Sequence, residues 1–277
     1  MFGILLALAS TAFEETANSI GKKQVQDHVA SYYTFGFLTL RFGTAFLLVE
    51  GFVRGQLIFS LASLPTFLPR LALEILQAYV TVRAITYSDR GDFGFFRTLT
   101  IPILLGLDIL LGYSIGTLQI FGMALIFVPI GILVYSERHV VKGAGYLLIG
   151  AVNAALTISL YKYDITHFNS VEAEQSLVGL VLLAYFFLMA RARYGENPLT
   201  FLRKKAFAGQ TIASGLSSVA ASFAYAFAPA SIILAAMRSS AILLSILTGR
   251  FYFKEKRFLM KSALCALIIL GLVLLAR

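Results

Sequence analysis

The chain is short of charge, of cysteine and of histidine, and each shortage removes a class of function. Asp, Glu, Lys and Arg make up 13% of its 277 residues, about half of the roughly 25% that soluble domains carry. Hydrophobic residues make up 58%, and the mean hydropathy is +0.82. These values describe a membrane protein, and the length leaves no room for a large soluble domain beside the spans. The single cysteine, Cys265, excludes an internal disulfide and any CxxC metal site. It sits in an apolar run, where its role is helix packing. His28, His139 and His167 lie in or near joints at unrelated spacings and form no metal set. GxxxxGK[ST] and HExxH are both absent, so neither a phosphate-cradling loop nor a zinc-binding helix points to an enzyme or to a bound cofactor. Acidic residues are outnumbered, 14 to 23, which leaves a net charge of +9. In a membrane protein, loop Lys and Arg set topology or meet anionic lipid head groups. Nucleic acid is therefore not an expected partner.

What is present is a series of apolar segments. A spanning helix needs about 20 mostly apolar residues. On that scale ten spans are expected, at roughly 2–21, 32–53, 67–87, 92–111, 117–136, 143–163, 172–193, 206–226, 230–252 and 258–276. Polar joints such as GKKQVQDH, SDRGD, SERHVVK and KEKR separate them. The first segment lacks the basic region of a signal peptide and runs on past the usual cleavage length, so it reads as a retained helix. Pro102 removes one backbone hydrogen bond and predicts a kink in the fourth span.

The second half repeats the first at an offset near 140: Gly3 falls on Gly143, Lys22 on Lys162, Gly55 on Gly195 and Gly131 on Gly271. The repeats are 1–136 and 143–277, with five spans each. Five is odd, so the second repeat enters the membrane from the opposite side. The expected fold is an all-α integral membrane protein of ten transmembrane helices in two inverted five-helix repeats. Transporters use that arrangement to place a site at the midplane between halves.

Several spans carry a polar face. In span 1, Ser10, Thr11, Glu14, Glu15, Asn18 and Lys22 fall within about 140° of one another. A charge at the centre of a span costs about 2.5–3.5 kcal/mol on insertion scales, so the two glutamates demand water, a partner or a proton. Arg70, Glu74, Gln77 and Thr81 share one face of span 3. Their counterparts in span 8 are Gln210, Ser214, Ser217 and Ala221, and Tyr225 extends the stripe. This matched pair reads as two helices lining one cavity, although Ser and Thr also serve as plain interhelical glue. Arg97 and Arg238 lie 141 apart in spans 4 and 9. Arginine grips carboxylate or phosphate through two oxygens, and near a span end it also snorkels to head groups. Asp108 shares a face with Arg97 but lies about 16 Å away along the axis. Asn153 and Tyr161 are offered by span 6. The expected substrate-binding set is Glu14, Asn18, Glu74, Gln77, Arg97, Asn153, Ser214, Ser217, Tyr225 and Arg238. Glu14 and Glu15 are the proton-coupling candidates, because burial of a carboxylate disfavours its charged form. No metal site is expected.

Residues 222 to 275, SFAYAFAPASIILAAMRSSAILLSILTGRFYFKEKRFLMKSALCALIILGLVLL, resemble the last three helices of the drug/metabolite transporter superfamily. The features are the PAS turn, a long apolar helix, a glutamate in the short loop after it, and a final helix ending in a Gly-aliphatic run. A first-half echo runs through AITYSDRGDFGFFRTLTIPILLGLDILLGY, and Arg41 in TLRFGTA is similar to the arginine of the EamA branch. The loop reads FKEKR rather than a Gly-Glu pair, and the first-half loop GYSIGT has no glutamate. The small multidrug resistance branch has a similar glutamate in its first helix with a lysine about two turns on, as Glu14 and Lys22 are here. The resemblance implies a multi-pass protein of a bacterial inner (plasma) membrane, monomeric or homodimeric. It would act as a secondary transporter of a small polar metabolite, amino acid-like or anionic, by alternating access and with protons as a coupling ion. Three alternatives stand beside it: an organic-cation or multidrug exporter, a lipid-intermediate flippase, and a non-transporting membrane scaffold. Most joint Lys and Arg follow spans 1, 3, 5, 7 and 9, which puts the termini outside. Familiar bacterial members keep both termini in the cytoplasm, so orientation stays open.

Overall fold

The computed structural model describes residues 2–103, 117–136, 142–227 and 230–275. Among them no strand occurs and every regular element is helical. The helices are α1 (Phe2–Gln26), α2 (Tyr32–Arg54), α3 (Leu64–Tyr87), α4 (Arg90–Arg97), α5 (Thr117–Ser136), α6 (Ala144–His167), α7 (Val171–Tyr194), the single turn α8 (Pro198–Phe201), α9 (Lys205–Phe227), α10 (Ala230–Phe251) and α11 (Phe258–Leu275).

Local chemistry sets several of these boundaries. Ser31 and Ser170 are the N-caps of α2 and α7, and each side chain accepts the amide three residues on, Thr34 N–H and Ala173 N–H. Gly55 and Gly195 end the same two helices in the left-handed region, both at φ 65°, a conformation that costs glycine nothing. The break after α4 follows from Pro102. Proline has no N–H to offer the carbonyl four residues back, and its ring crowds that oxygen. That residue is Thr98, and Thr98–Leu99 form a turn before the helix resumes at residues 100–103. Around the turn the amides of Thr98, Leu99 and Ile101 each bond three residues back, at 3.1 Å.

Among the described residues three helices are long and apolar enough to cross a membrane: Tyr32–Arg54, Ala144–His167 and Val171–Tyr194. Their outward faces carry large apolar side chains, with Val49 61% and Leu188 64% exposed. Apolar stretches at Ile120–Ile132 and Phe258–Leu274 are shorter. Helices α1 and α3 hold Glu14, Glu15, Lys22, Arg70, Glu74 and Arg83, and these charges reduce their hydropathy.

The chain divides into two compact units, and each draws on both sequence halves: Met1–Glu15, Tyr87–Val152 and Leu216–Arg277 in one, Thr16–Thr86 and Asn153–Gly215 in the other. In the first unit α10 packs on α4 and α11, and α11 packs on α5. The start of α1 joins through Ala7 against Ala224, with Leu6 and Met237 around them. In the second unit α2 packs on α7. Gly36 meets the Phe186 ring, Thr44 meets Gly179, and Gly51 meets Glu172. The residue numbers rise along one helix as they fall along the other, so the pair is antiparallel. Phe67, Val178 and Leu182 form the neighbouring core, with Leu40, Leu71 and Ile75 packed against it.

Candidate functional site

Consecutive residues on a helix point about 100° apart, so Glu14 and Glu15 meet different partners. Glu15 is buried and faces Arg90, whose side chain is only 1% exposed. Arg90 grips it at two points, Nε to Oε1 at 3.0 Å and Nη2 to Oε2 at 2.6 Å. This planar two-bond geometry is the strong form of a carboxylate–arginine pair. Glu14 faces Arg97 at 2.5 Å, and here both side chains are about one-third exposed, 31% and 34%. Arg238 and Arg90 also act on the Glu14 carboxylate as positive charges.

Helix α4 positions two of the three arginines. Its first turn is held by Glu255, which accepts the Arg90 amide and, at 3.2 Å, the Gly91 amide. This remote carboxylate does the work of an N-cap, since Asp89 makes no capping bond. Glu255 is the glutamate of the FKEKR loop. Lys261, buried near the start of α11, lies 2.7 Å from Asp92, 3.5 Å from Glu255 and 3.9 Å from Asp89. Its three acidic neighbours remove the cost of an unpaired buried ammonium. So α4 is tied down at its N-terminus by Glu255 and Glu15 and at Arg97 by Glu14.

The hydroxyls of the span-1 face meet other helices. Ser10 donates to the Ser217 carbonyl at 2.9 Å and lies 3.3 Å from the Ser217 hydroxyl. Ser240 donates to Thr11 at 3.1 Å. Ser217 thus serves as interhelical glue in this unit.

The second unit holds a separate polar network. Asn153 donates to the Leu73 carbonyl and to Gln77 Oε1, both at 2.9 Å, and Gln77 donates to Thr81 at 3.0 Å. Glu74 lies 3.5 Å from Arg70. Arg70 is fully buried, pairs with Glu174, and lies 4.6 Å from the Tyr161 ring centroid. Glu174 also accepts from Asn169 at 2.5 Å, and Thr66 hydrogen-bonds Asp164. Asn18 is buried in this unit, and Ser214 donates to the Thr211 carbonyl at 3.0 Å. The Tyr225 side chain and Asp108 lie outside the described residues, as does His139.

The expected site residues thus fall into two groups. Glu14, Arg97 and Arg238 come together in one unit, and Glu74, Gln77 and Asn153 in the other. Sequence reasoning missed Arg90, which reads as part of the SDRGD joint, and also Asp164, Glu174 and Lys261. One signal was available for Arg90: two carboxylates in one apolar helix call for two cations. Among the described residues no group of His, Cys, Asp and Glu is arranged to hold a metal ion. The chain matches no protein-family model, and no curated protein matches it.

Proposed function

We propose that the chain is a multi-pass membrane transporter of the drug/metabolite type, with ten spans in two inverted five-helix repeats. It moves a small anionic or amino acid-like solute by alternating access. The observation that carries this reading is the Glu14–Arg97 pair, about one-third exposed, with Arg238 in electrostatic reach. An ion pair between two helices that keeps about a third of each side chain exposed is open to a solute. The planar donors of arginine suit a carboxylate or phosphate.

Two features of the fold support the repeats. Three of the helix pairs in contact, α2 with α7, α4 with α10 and α5 with α11, are counterparts at the 140-residue offset, while α10 with α11 are chain neighbours. Elements beside a two-fold axis pack on their own mates, and the antiparallel course of α2 and α7 fits an inverted pair. Glu14 and Glu15 both face arginines, which counts against a cation exporter built on span 1.

The test is a thermal-shift panel on purified protein in detergent, with amino acids, sugar phosphates, nucleotide sugars and organic cations. A ligand that binds only the folded state raises the melting temperature. The expected hit is an anion or zwitterion, lost in Arg238→Ala and Arg97→Ala. A hit confined to organic cations, or an anion hit untouched by both substitutions, overturns the proposal.

A further inference from the structure

Because α2 and α7 run antiparallel, the start of α2 and the end of α7 lie together at one end of the second unit. Tyrosine marks that end. The Tyr194 ring lies 5.9 Å from Tyr32 and 6.0 Å from Tyr33, and Tyr32 lies 6.2 Å from Tyr79. Arg83 stands over Tyr32, its guanidinium 4.4 Å from the ring centroid, and donates from Nε to the Tyr79 hydroxyl at 3.2 Å. A tyrosine has an apolar ring and a polar tip, so it settles where hydrocarbon meets head groups. α7 is of membrane-crossing length, and its last turn emerges at this level.

The segment that leaves α7 is basic. RARYGENPLTFLRKK, residues 191–205, holds Arg191, Arg193, Arg203, Lys204 and Lys205, all exposed, against a single acid. That acid, Glu196, accepts from the Ser31 amide, the Ser31 hydroxyl and the Thr34 hydroxyl, so its charge is committed to the start of α2. The single turn α8 packs back on α2 and α7, which holds the Arg203–Lys205 run beside the helix ends. α1 reaches the same end, where Gly21 meets the Phe35 ring. Of its two lysines, Lys22 is buried and Lys23 pairs with Asp27 at 2.8 Å. Tyr194 and Leu199, each about half exposed, set apolar surface among the cations. At the other end of the helix pair the charges have both signs and are matched: Arg54 lies 3.2 Å from Glu50, and Arg70 pairs with Glu174.

We infer that this end of the second unit is a docking surface for the phosphate head groups of anionic lipid, with residues 191–205 supplying the charge and the tyrosine–Arg83 cluster fixing the depth. Clusters of Lys and Arg directly after a spanning helix attract anionic lipid. The arrangement selects a lipid layer over a soluble anion. A soluble anion needs donors that converge on one point, whereas these five cations are spread around a helix end and the loop after it. A head-group layer is a plane that all of them reach, with long side chains that extend to it. The basic KEKR joint of the first unit differs. Asp89, Asp92 and Glu255 gather there around Lys261, and their charge repels phosphate. The inference requires α2 and α7 to lie in a bilayer and requires no transport.

Thermal unfolding of the purified chain in mild detergent tests it, titrated with short-chain phosphatidylglycerol or phosphatidylcholine. A ligand that binds only the folded state raises the melting temperature. Phosphatidylglycerol should raise it at concentrations where phosphatidylcholine does not, and added salt should weaken the effect. Each Lys or Arg near an anionic surface strengthens binding about fivefold, so Lys204→Gln with Lys205→Gln should raise the half-saturating lipid concentration about 25-fold. Both lysines are exposed, and each variant is compared with its own lipid-free melt. Lys204→Arg with Lys205→Arg should keep the wild-type affinity. Lys254→Gln with Lys256→Gln removes the same charge from the KEKR joint and should barely shift it. Equal shifts from the two Gln pairs would mean that net charge alone attracts the lipid, and they overturn the surface. An equal response to phosphatidylcholine overturns it as well, and so does inorganic phosphate that displaces the lipid, since that marks a compact anion pocket. The titration contains no solute, so a silent ligand panel sinks the transporter reading and leaves this one standing.

Discussion

Glu14 and Glu15 are neighbours of the same type on the same helix, yet their removal should have very different consequences. Glu15→Gln leaves the Arg90 guanidinium charged, with its side chain 1% exposed and both strong bonds weakened. Removing one partner of a buried pair costs about 3–5 kcal/mol, because the other is left uncompensated. Glu14→Gln disturbs a pair in which both partners are about one-third exposed. Water screens such a pair, and its loss costs at most about 1 kcal/mol. The two variants should therefore differ by about 3 kcal/mol. At roughly 2–4 °C per kcal/mol for larger domains, that separates their melting temperatures by about 6–12 °C. Far-ultraviolet circular dichroism of both variants in one detergent measures it. The double variant Glu15→Gln, Arg90→Gln should be more stable than the sum of its single variants allows, since no unpaired charge remains. Equal shifts for Glu14→Gln and Glu15→Gln, or a larger one for Glu14→Gln, would refute the assignment of Glu15 as structural and Glu14 as available to solute.

Other substitutions test the packing that holds these sites. Gly36→Ala puts a Cβ 2.6 Å from the Phe186 ring and should cost about 1–3 kcal/mol, whereas Gly131→Ala, with nothing within 4 Å, should gain about 0.5–1 kcal/mol; thermal unfolding reads the opposite signs. Glu196 accepts from the Ser31 amide at 2.8 Å, the Ser31 hydroxyl at 2.6 Å and the Thr34 hydroxyl at 2.5 Å. Glu196→Ala should destabilise by about 1–3 kcal/mol and speed hydrogen exchange at the start of α2. Lys261→Met leaves Asp92 and Glu255 without their ammonium and should cost about 3–5 kcal/mol, with extra amide exchange at Gly91.

Helix positions were largely legible because they depend on local properties. The expected 117–136 matches Thr117–Ser136, 32–53 compares with Tyr32–Arg54, and 206–226 with Lys205–Phe227. Apolar runs must be helical to satisfy their own backbone in lipid. Ser31, Ser170, Gly55 and Gly195 act within a few residues of where they stand, and so does Pro102. The angular position of Glu14 against Glu15 is likewise a property of one helix, and it separates their partners before any partner is known.

The identity of those partners was decided only in three dimensions. Glu15 finds Arg90 75 residues away and Arg70 finds Glu174 104 residues away, separations at which periodicity within one helix carries no information. Composition places Arg90 and Glu255 in polar joints. Only the packing of α4 against α10 turns those joints inward, so that one residue neutralises a carboxylate and the other caps a helix. The sequence alone determined that this chain is a set of apolar helices bearing a few charges too costly to leave unmatched. Which charges pair, and which pair is left one-third exposed, depended on the tertiary structure, because electrostatic compensation acts between segments that the chain order does not bring together.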